Sequence, residues 1–286
     1  MATKLSSEQT KIVESIKALI KTADWSAFEE AALQIAAQSP EIIGLFTEGL
    51  KPDEIGRIEV DKKAMIAKLL KDENYNRASA GFCIMSATGK LDHLEIVNLS
   101  KFKGINLKLV SRLTKLKQLF LGSCSELVDI TGIDKLKNLA SLTFSECEVL
   151  QDIGPLADLK KLEDLSLYGC KALVDIGPLK SLSRLTDLNL AYCQTKDLKP
   201  LASMSMLSGL FLSNCVHITD LAPLAKLVTL TKLDLAKCKA LSDIKPLSKL
   251  VNLIDVRLIL CPEVKDFSPL DKLPKLPKAN NSPFPI

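Results

Sequence analysis

Seven cysteines recur at nearly constant intervals: Cys124, Cys147, Cys170, Cys193, Cys215, Cys238 and Cys261 are separated by 23, 23, 23, 22, 23 and 23 residues. A chain that returns to one residue type at a fixed period is built from stacked copies of one small unit. A disulfide framework has no reason to be periodic. The eighth cysteine, Cys83, lies outside the ladder in Ala80-Gly81-Phe82-Cys83-Ile84-Met85 and reads as a core residue, not a nucleophile.

Each ladder cysteine closes the same pattern, L-x-x-L-x-L-x-x-C. Leu116, Leu119, Leu121 and Cys124 form one copy, and Leu139, Leu142, Phe144 and Cys147 the next. The pattern runs on to Leu253, Val256, Leu258 and Cys261, and an earlier copy, Leu94-Val97-Leu99-Phe102, puts Phe in the cysteine place. The central L-x-L has the period of a strand, with Leu inward and its neighbours outward. One such strand cannot bury its face alone, so the copies must stack in parallel. Eight coils at about 4.8 Å per strand predict a rod of roughly 40 Å.

The return half of each coil repeats too. Asp152-Ile153-Gly154-Pro155-Leu156, Asp175-Ile176-Gly177-Pro178-Leu179, Asp220-Leu221-Ala222-Pro223-Leu224 and Asp243-Ile244-Lys245-Pro246-Leu247 are one motif. Proline ends any strand there, and the leucine spacing after it suits a single 3-10 or helical turn. The coil leaving Cys193 has lost one residue before Asp197, which accounts for the 22-residue interval.

These units resemble the leucine-rich-repeat proteins, in particular the short-repeat type of bacterial internalins and of the regulatory subunit of a eukaryotic protein phosphatase. The D-I-x-P-L turn is most similar to the internalins, and the resemblance covers about residues 90 to 276. It implies an α/β repeat fold: a right-handed leucine-rich-repeat solenoid, with a curved parallel sheet and a convex side of short 3-10 or irregular segments. Cys stands where internalins usually carry Asn, and most units are one residue longer. With no secretion signal and no wall-anchoring tail, these departures count against host-cell adhesion. The cysteine-bearing units are also similar to those of intracellular adaptors, without an F-box pattern ahead of them.

Residues 1–90 do not repeat. Capping boxes at Ser6-Ser7-Glu8-Gln9 and Ser26-Ala27-Phe28-Glu29, and Ser39-Pro40 further on, each open an amphipathic helical pattern. Further helices are expected near 60–71 and 74–87. The domain plan is therefore an α-helical cap over 1–90, a solenoid over 91–276, and a proline-broken tail over 277–286.

The 38 basic and 34 acidic residues, net +4, are mixed along the chain, and no basic block forms a nucleic-acid footprint. No run of 18 apolar residues predicts a membrane span. With no signal peptide, the expected compartment is the cytoplasm, where reduced thiols are stable. Catalysis has little to work with: His93 and His217 lie several coils apart, and no phosphate loop, H-E-x-x-H or paired C-x-x-C occurs. No enzyme activity, metal or cofactor is expected. The cysteines are expected as buried reduced thiols, and the aspartates from Asp129 to Asp266 as backbone caps, not calcium ligands.

The outward strand positions remain for binding. Phe120, Tyr168, Tyr192 and Phe211 fall on or beside the sheet in a chain with only 5% aromatics. Asp164, Asp187, Asp234 and Asp255 add negative charge, and Asn189 and Arg257 complete the candidate set. Aromatic residues and Arg anchor protein interfaces, and carboxylates favour a partner with a basic patch. The expected function is a protein-interaction scaffold or adaptor, binding on the concave sheet. The alternatives are an exported effector or surface-binding protein of the internalin kind, or an inhibitor of a partner enzyme.

Overall fold

The computed structural model describes residues 91–101 and 107–277, the backbone of two short strands, and single positions between 7 and 31. Within the repeat, eight three-residue strands form one parallel sheet in sequence order. They are β3 (Ile96–Asn98), β4 (Gln118–Phe120), β5 (Ser141–Thr143), β6 (Asp164–Ser166), β7 (Asp187–Asn189), β8 (Gly209–Phe211), β9 (Lys232–Asp234) and β10 (Asp255–Arg257). The register is in step throughout, so that Leu142, Leu165, Leu188, Leu210 and Leu233 stack on one another. These central residues are buried while most of their neighbours reach solvent, as the alternation predicts.

Each coil hydrogen-bonds to the next through the same groups. Leu167 N–H donates to Asn189 O at 2.8 Å, Leu190 to Phe211 at 2.8 Å and Leu212 to Asp234 at 2.7 Å. The residue just before each ladder cysteine is left-handed: Ser123, Glu146, Gly169, Tyr192, Asn214, Lys237 and Leu260 have φ between 56° and 72°. That turn bends the chain off the sheet and swings the cysteine inward. Only Gly169 escapes the steric cost, which is about 1–2 kcal/mol for other L-residues.

The thiols do structural work. Cys147, Cys170, Cys193, Cys215 and Cys238 donate Sγ–H to Leu121, Phe144, Leu167, Leu190 and Leu212 O of the preceding coil, at 3.0, 3.3, 3.2, 3.1 and 3.3 Å. Such a carbonyl serves two donors, since Leu167 O also accepts the Cys170 backbone N–H at 3.1 Å. All seven ladder thiols are buried and unpaired as disulfides. Burial pushes Cys170 and Cys215 up to about 12, and raises Cys193, Cys238 and Cys261 as well. Cys147 departs in the opposite direction, because its interaction with the neighbouring Cys124 thiol favours the thiolate over the effect of burial.

The return halves form 3-10 turns: Ile133–Lys135, Gly154–Asp158, Gly177–Ser181, Lys199–Ser203, Ala222–Lys226 and Lys245–Lys249. The five longer turns carry Pro in their first turn; the coil without one, at Ile133, makes only three residues. The aspartates act as turn caps, as expected. Asp152, Asp175, Asp197, Asp220 and Asp243 each accept the N–H two residues on, at 2.7 to 2.9 Å. Asp129 and Asp266 do the same for Thr131 and Ser268. No group of three or more His, Cys, Asp or Glu among the described residues is arranged to hold a metal.

The shortened coil carries a local cost. Thr195 stands where the other coils place Leu150, Leu173, Ile218 or Leu241, and it is 0% exposed. Among the described residues its hydroxyl finds no hydrogen-bond partner.

Ahead of the repeat, Ser7, Thr10, Lys11, Glu14, Ser15, Ala18 and Leu19 are helical, as are Ala27 and Ala31. Leu19 is half-buried and packs against the core cluster. The sequence did not announce a strand pair here, yet β1 (Leu50–Pro52) and β2 (Ile58–Val60) pair antiparallel, with Leu50 opposite Val60. The β-branched Ile58 and Val60 suit an extended chain better than a helix start. The helices expected at 74–87, most of 60–71, and the tail beyond 277 lie outside the described residues.

Candidate partner-binding face

Two rows of side chains stand on the outward face of the sheet. The first strand residues are Ile96, Gln118, Ser141, Asp164, Asp187, Gly209, Lys232 and Asp255, and the third are Asn98, Phe120, Thr143, Ser166, Asn189, Phe211, Asp234 and Arg257. A further row follows each strand and contains Tyr168, with Tyr192 beside it. The stacking of coils sets all these positions, so their spacing is rigid.

The sequence-selected residues gather most densely on β6, β7 and β8. Tyr168 and Tyr192 meet edge to face, with ring centroids 5.3 Å apart and planes at 65°. Tyr168 is 36% exposed, so the pair offers aromatic surface to solvent. Asp164 and Asp187 are register neighbours. Partial burial and the Asp187 charge raise the Asp164 carboxyl above its ordinary range, opposed by a 3.2 Å hydrogen bond from Ser141 Oγ. Two carboxylates in adjacent strands repel, and a cation placed between them relieves that repulsion.

Gly209 continues that row and has a function the sequence did not disclose. A Cβ there would lie 2.4 Å from Asp187 Oδ1 and 3.4 Å from Phe211 Cε2. Its missing side chain lets the Asp187 carboxylate lean across the strand toward the Phe211 ring. Lys232, next in register, was not among the selected residues and stands on the far side of Gly209. The signal was a glycine in an outward strand position, where nothing in the turn chemistry requires one.

Other selected residues lie apart or are engaged locally. Phe120 shares the Phe211 row but sits on β4, four strands away, or roughly 19 Å at ordinary strand spacing. Asn189 Oδ1 accepts the Ala191 N–H at 3.0 Å and Asp234 Oδ1 that of Ala236 at 2.9 Å. Both side chains therefore fold back to close the strand end. Asp255 and Arg257 pair with each other on β10 at 3.5 Å, exposed. His217 is bonded to Gln194 at 3.0 Å and lies off this face. Among the described residues, no helix is long and apolar enough to cross a membrane.

No family model matches the chain, and no curated protein matches it. Solved structures do. Internalin C2 of Listeria monocytogenes is 34% identical over 58% of this chain and 71% of its own length, with a TM-score of 0.54. The internalin InlF of the same organism is 20% identical over 87% of this chain and 79% of its own, with a TM-score of 0.56, a likeness of fold.

Proposed function

The chain belongs to the leucine-rich-repeat family, with internalin-like coils, and on that premise we propose that it is a non-enzymatic scaffold that holds a protein partner against the β6–β8 face. The observation that carries this reading is the gathering of Tyr168, Tyr192 and Phe211 with Asp164 and Asp187 on three adjacent coils. Rigid aromatic surface supplies apolar contact at small entropic cost, and the paired carboxylates select a partner with a basic patch. Because these side chains lie outside the leucine core, they can change without unfolding the protein.

The test is capture of partners by the wild-type chain and by a Tyr168→Ser, Phe211→Ser variant, read by mass spectrometry. A partner retained by the first and lost by the second, with thermal unfolding moved by less than about 2 °C, is the expected result. A partner retained equally by both refutes the assignment of this face. The cytoplasm is the proposed compartment, supported by seven buried thiols that each donate to a carbonyl, an arrangement that needs them reduced. The 34% identity with internalin C2 favours a second reading, an exported surface-binding protein; its appearance in culture medium of intact cells would support that reading.

A further inference from the structure

Charge is segregated across the solenoid in a way that the overall balance of +4 conceals. In each coil a six-residue stretch brings the chain from the convex turn back to its strand, ending one residue past the first leucine of the motif. The stretches at 112–117, 135–140, 158–163, 181–186, 203–208, 226–231 and 249–254 hold equivalent places in the stack and so form one flank. Their only carboxylates are Asp158 and Glu163, which Lys137 and Arg184 already pair at 3.2 and 3.1 Å. The flank by which the chain leaves the sheet has the reverse balance. It carries Glu126, Glu146 and Glu148 and the whole ladder of turn-capping aspartates.

The basic flank has two parts. In the earlier coils, Lys115, Lys117, Lys161 and Arg184 border one groove of about 410 Å³. Its carboxylates, Glu95 and Glu163, are held by Lys117 and Arg184, while Lys115 and Lys161 make no ion pair among the described residues. Asn138 ties the coils together there, accepting from Lys161 Nζ at 2.8 Å and donating to Thr114 O at 2.9 Å. Arg112, Lys135, Lys137 and Lys160 extend the row of cations, all of them exposed. In the following three coils, Met206, Val228, Val251 and Ile254 come to the surface on the same flank, each 45% to 51% exposed. No carboxylate stands in those three stretches, and none of the seven contains Phe, Tyr or Trp.

We propose that this flank is a docking surface for an anionic lipid bilayer, separate from the β6–β8 face. Stacked cations attract a negative surface from a distance, and the acidic flank opposite is repelled by it, so the molecule approaches in one orientation. Lys115 and Lys161 meet the anionic headgroups at the groove. The aliphatic row from Met206 to Ile254 enters the interface beside them. That row decides between occupants: a phosphate backbone offers it no apolar contact, and single-stranded bases call for aromatic rings that the flank lacks. The sequence hid the surface because its cations recur once per coil instead of forming a block.

Co-sedimentation of the full chain with vesicles tests this, using phosphatidylcholine alone and phosphatidylcholine with about a third phosphatidylserine. Binding to the anionic vesicles only is expected, weakened at least about tenfold by about 0.5 M NaCl. Lys115→Glu, Lys161→Glu should bind at least about tenfold more weakly, with thermal unfolding moved by less than about 2 °C. Lys237→Glu, Lys239→Glu makes the same change of charge on the other flank and should bind within about twofold of wild type. Met206→Ser, Val228→Ser should keep the salt dependence but bind at least about threefold more weakly. Tyr168→Ser, Phe211→Ser should bind as wild type, which separates this surface from the sheet face. Equal binding to neutral vesicles, or an equal loss from the two lysine pairs, overturns the proposal. So does a failure to sediment with anionic vesicles; a DNA duplex or polyglutamate that then binds wild type but not Lys115→Glu, Lys161→Glu would assign the flank to a nucleic acid or an acidic protein instead.

Discussion

Raising the pH should unfold this protein through its cysteines. In the unfolded chain a thiol ionises near its ordinary value of 9.0, whereas in the fold Cys170 and Cys215 are held at about 12, and Cys193, Cys238 and Cys261 are also raised. Above pH 9 the unfolded chain releases protons that the folded chain keeps, so stability must fall as pH rises. At pH 9.5 each of Cys170, Cys193, Cys215 and Cys238 contributes a loss of a little under about 1 kcal/mol, and the four together about 3 kcal/mol; Cys261 adds to the loss, and Cys147, shifted the other way, offsets part of it. That is a large part of a typical folding free energy of about 5–15 kcal/mol. Urea unfolding followed by circular dichroism at pH 7.5, 8.5 and 9.5, with a phosphine reductant present, measures it. Cys193→Ala should start less stable but lose about a quarter less between the first and last pH. A stability that is flat from pH 7.5 to 9.5 would mean the folded thiols ionise freely, and the packing described for the ladder would be wrong.

Thr195→Val exchanges a buried hydroxyl without a partner for a methyl of the same shape, and should stabilise by about 1 kcal/mol in urea unfolding; a loss would show that the hydroxyl is satisfied. Asp175→Ala removes the acceptor of the Gly177 N–H at 2.7 Å and should cost about 1 kcal/mol, with Asp175→Asn costing less. Leu188→Ala, in the middle of the stack, should cost about 2–5 kcal/mol in the same assay, because the coils on either side cannot close the cavity.

The repeat carried most of the fold into plain view. Leu119, Leu142 and their equivalents alternate with polar residues and recur every 22 or 23 positions, and only a stacked parallel sheet buries such a row. Asp before a proline turn announced its cap, and Tyr168 and Tyr192 proved to be neighbours because one coil separates them. The left-handed residue before each cysteine was hidden, since seven of its eight occupants, Lys101 included, are not glycine. Asn189 and Asp234 looked free because a side chain at a strand end can reach out or fold back, and sequence does not distinguish the two. Gly209 escaped for another reason. Its meaning depends on what the adjacent coil does, which is not a property of the local sequence.

The stacked coil is the claim on which the partner-binding face depends, and removing one coil tests it directly. Deleting residues 148–170 joins Cys147 to Lys171 and takes out one 23-residue period, β6 included. The shortened chain should fold cooperatively, keep its circular dichroism signature, and lose about 5 Å of length by X-ray scattering. Deleting only 148–158 shifts every later leucine out of phase and should leave the chain unfolded. Equal damage from the two deletions would contradict the account.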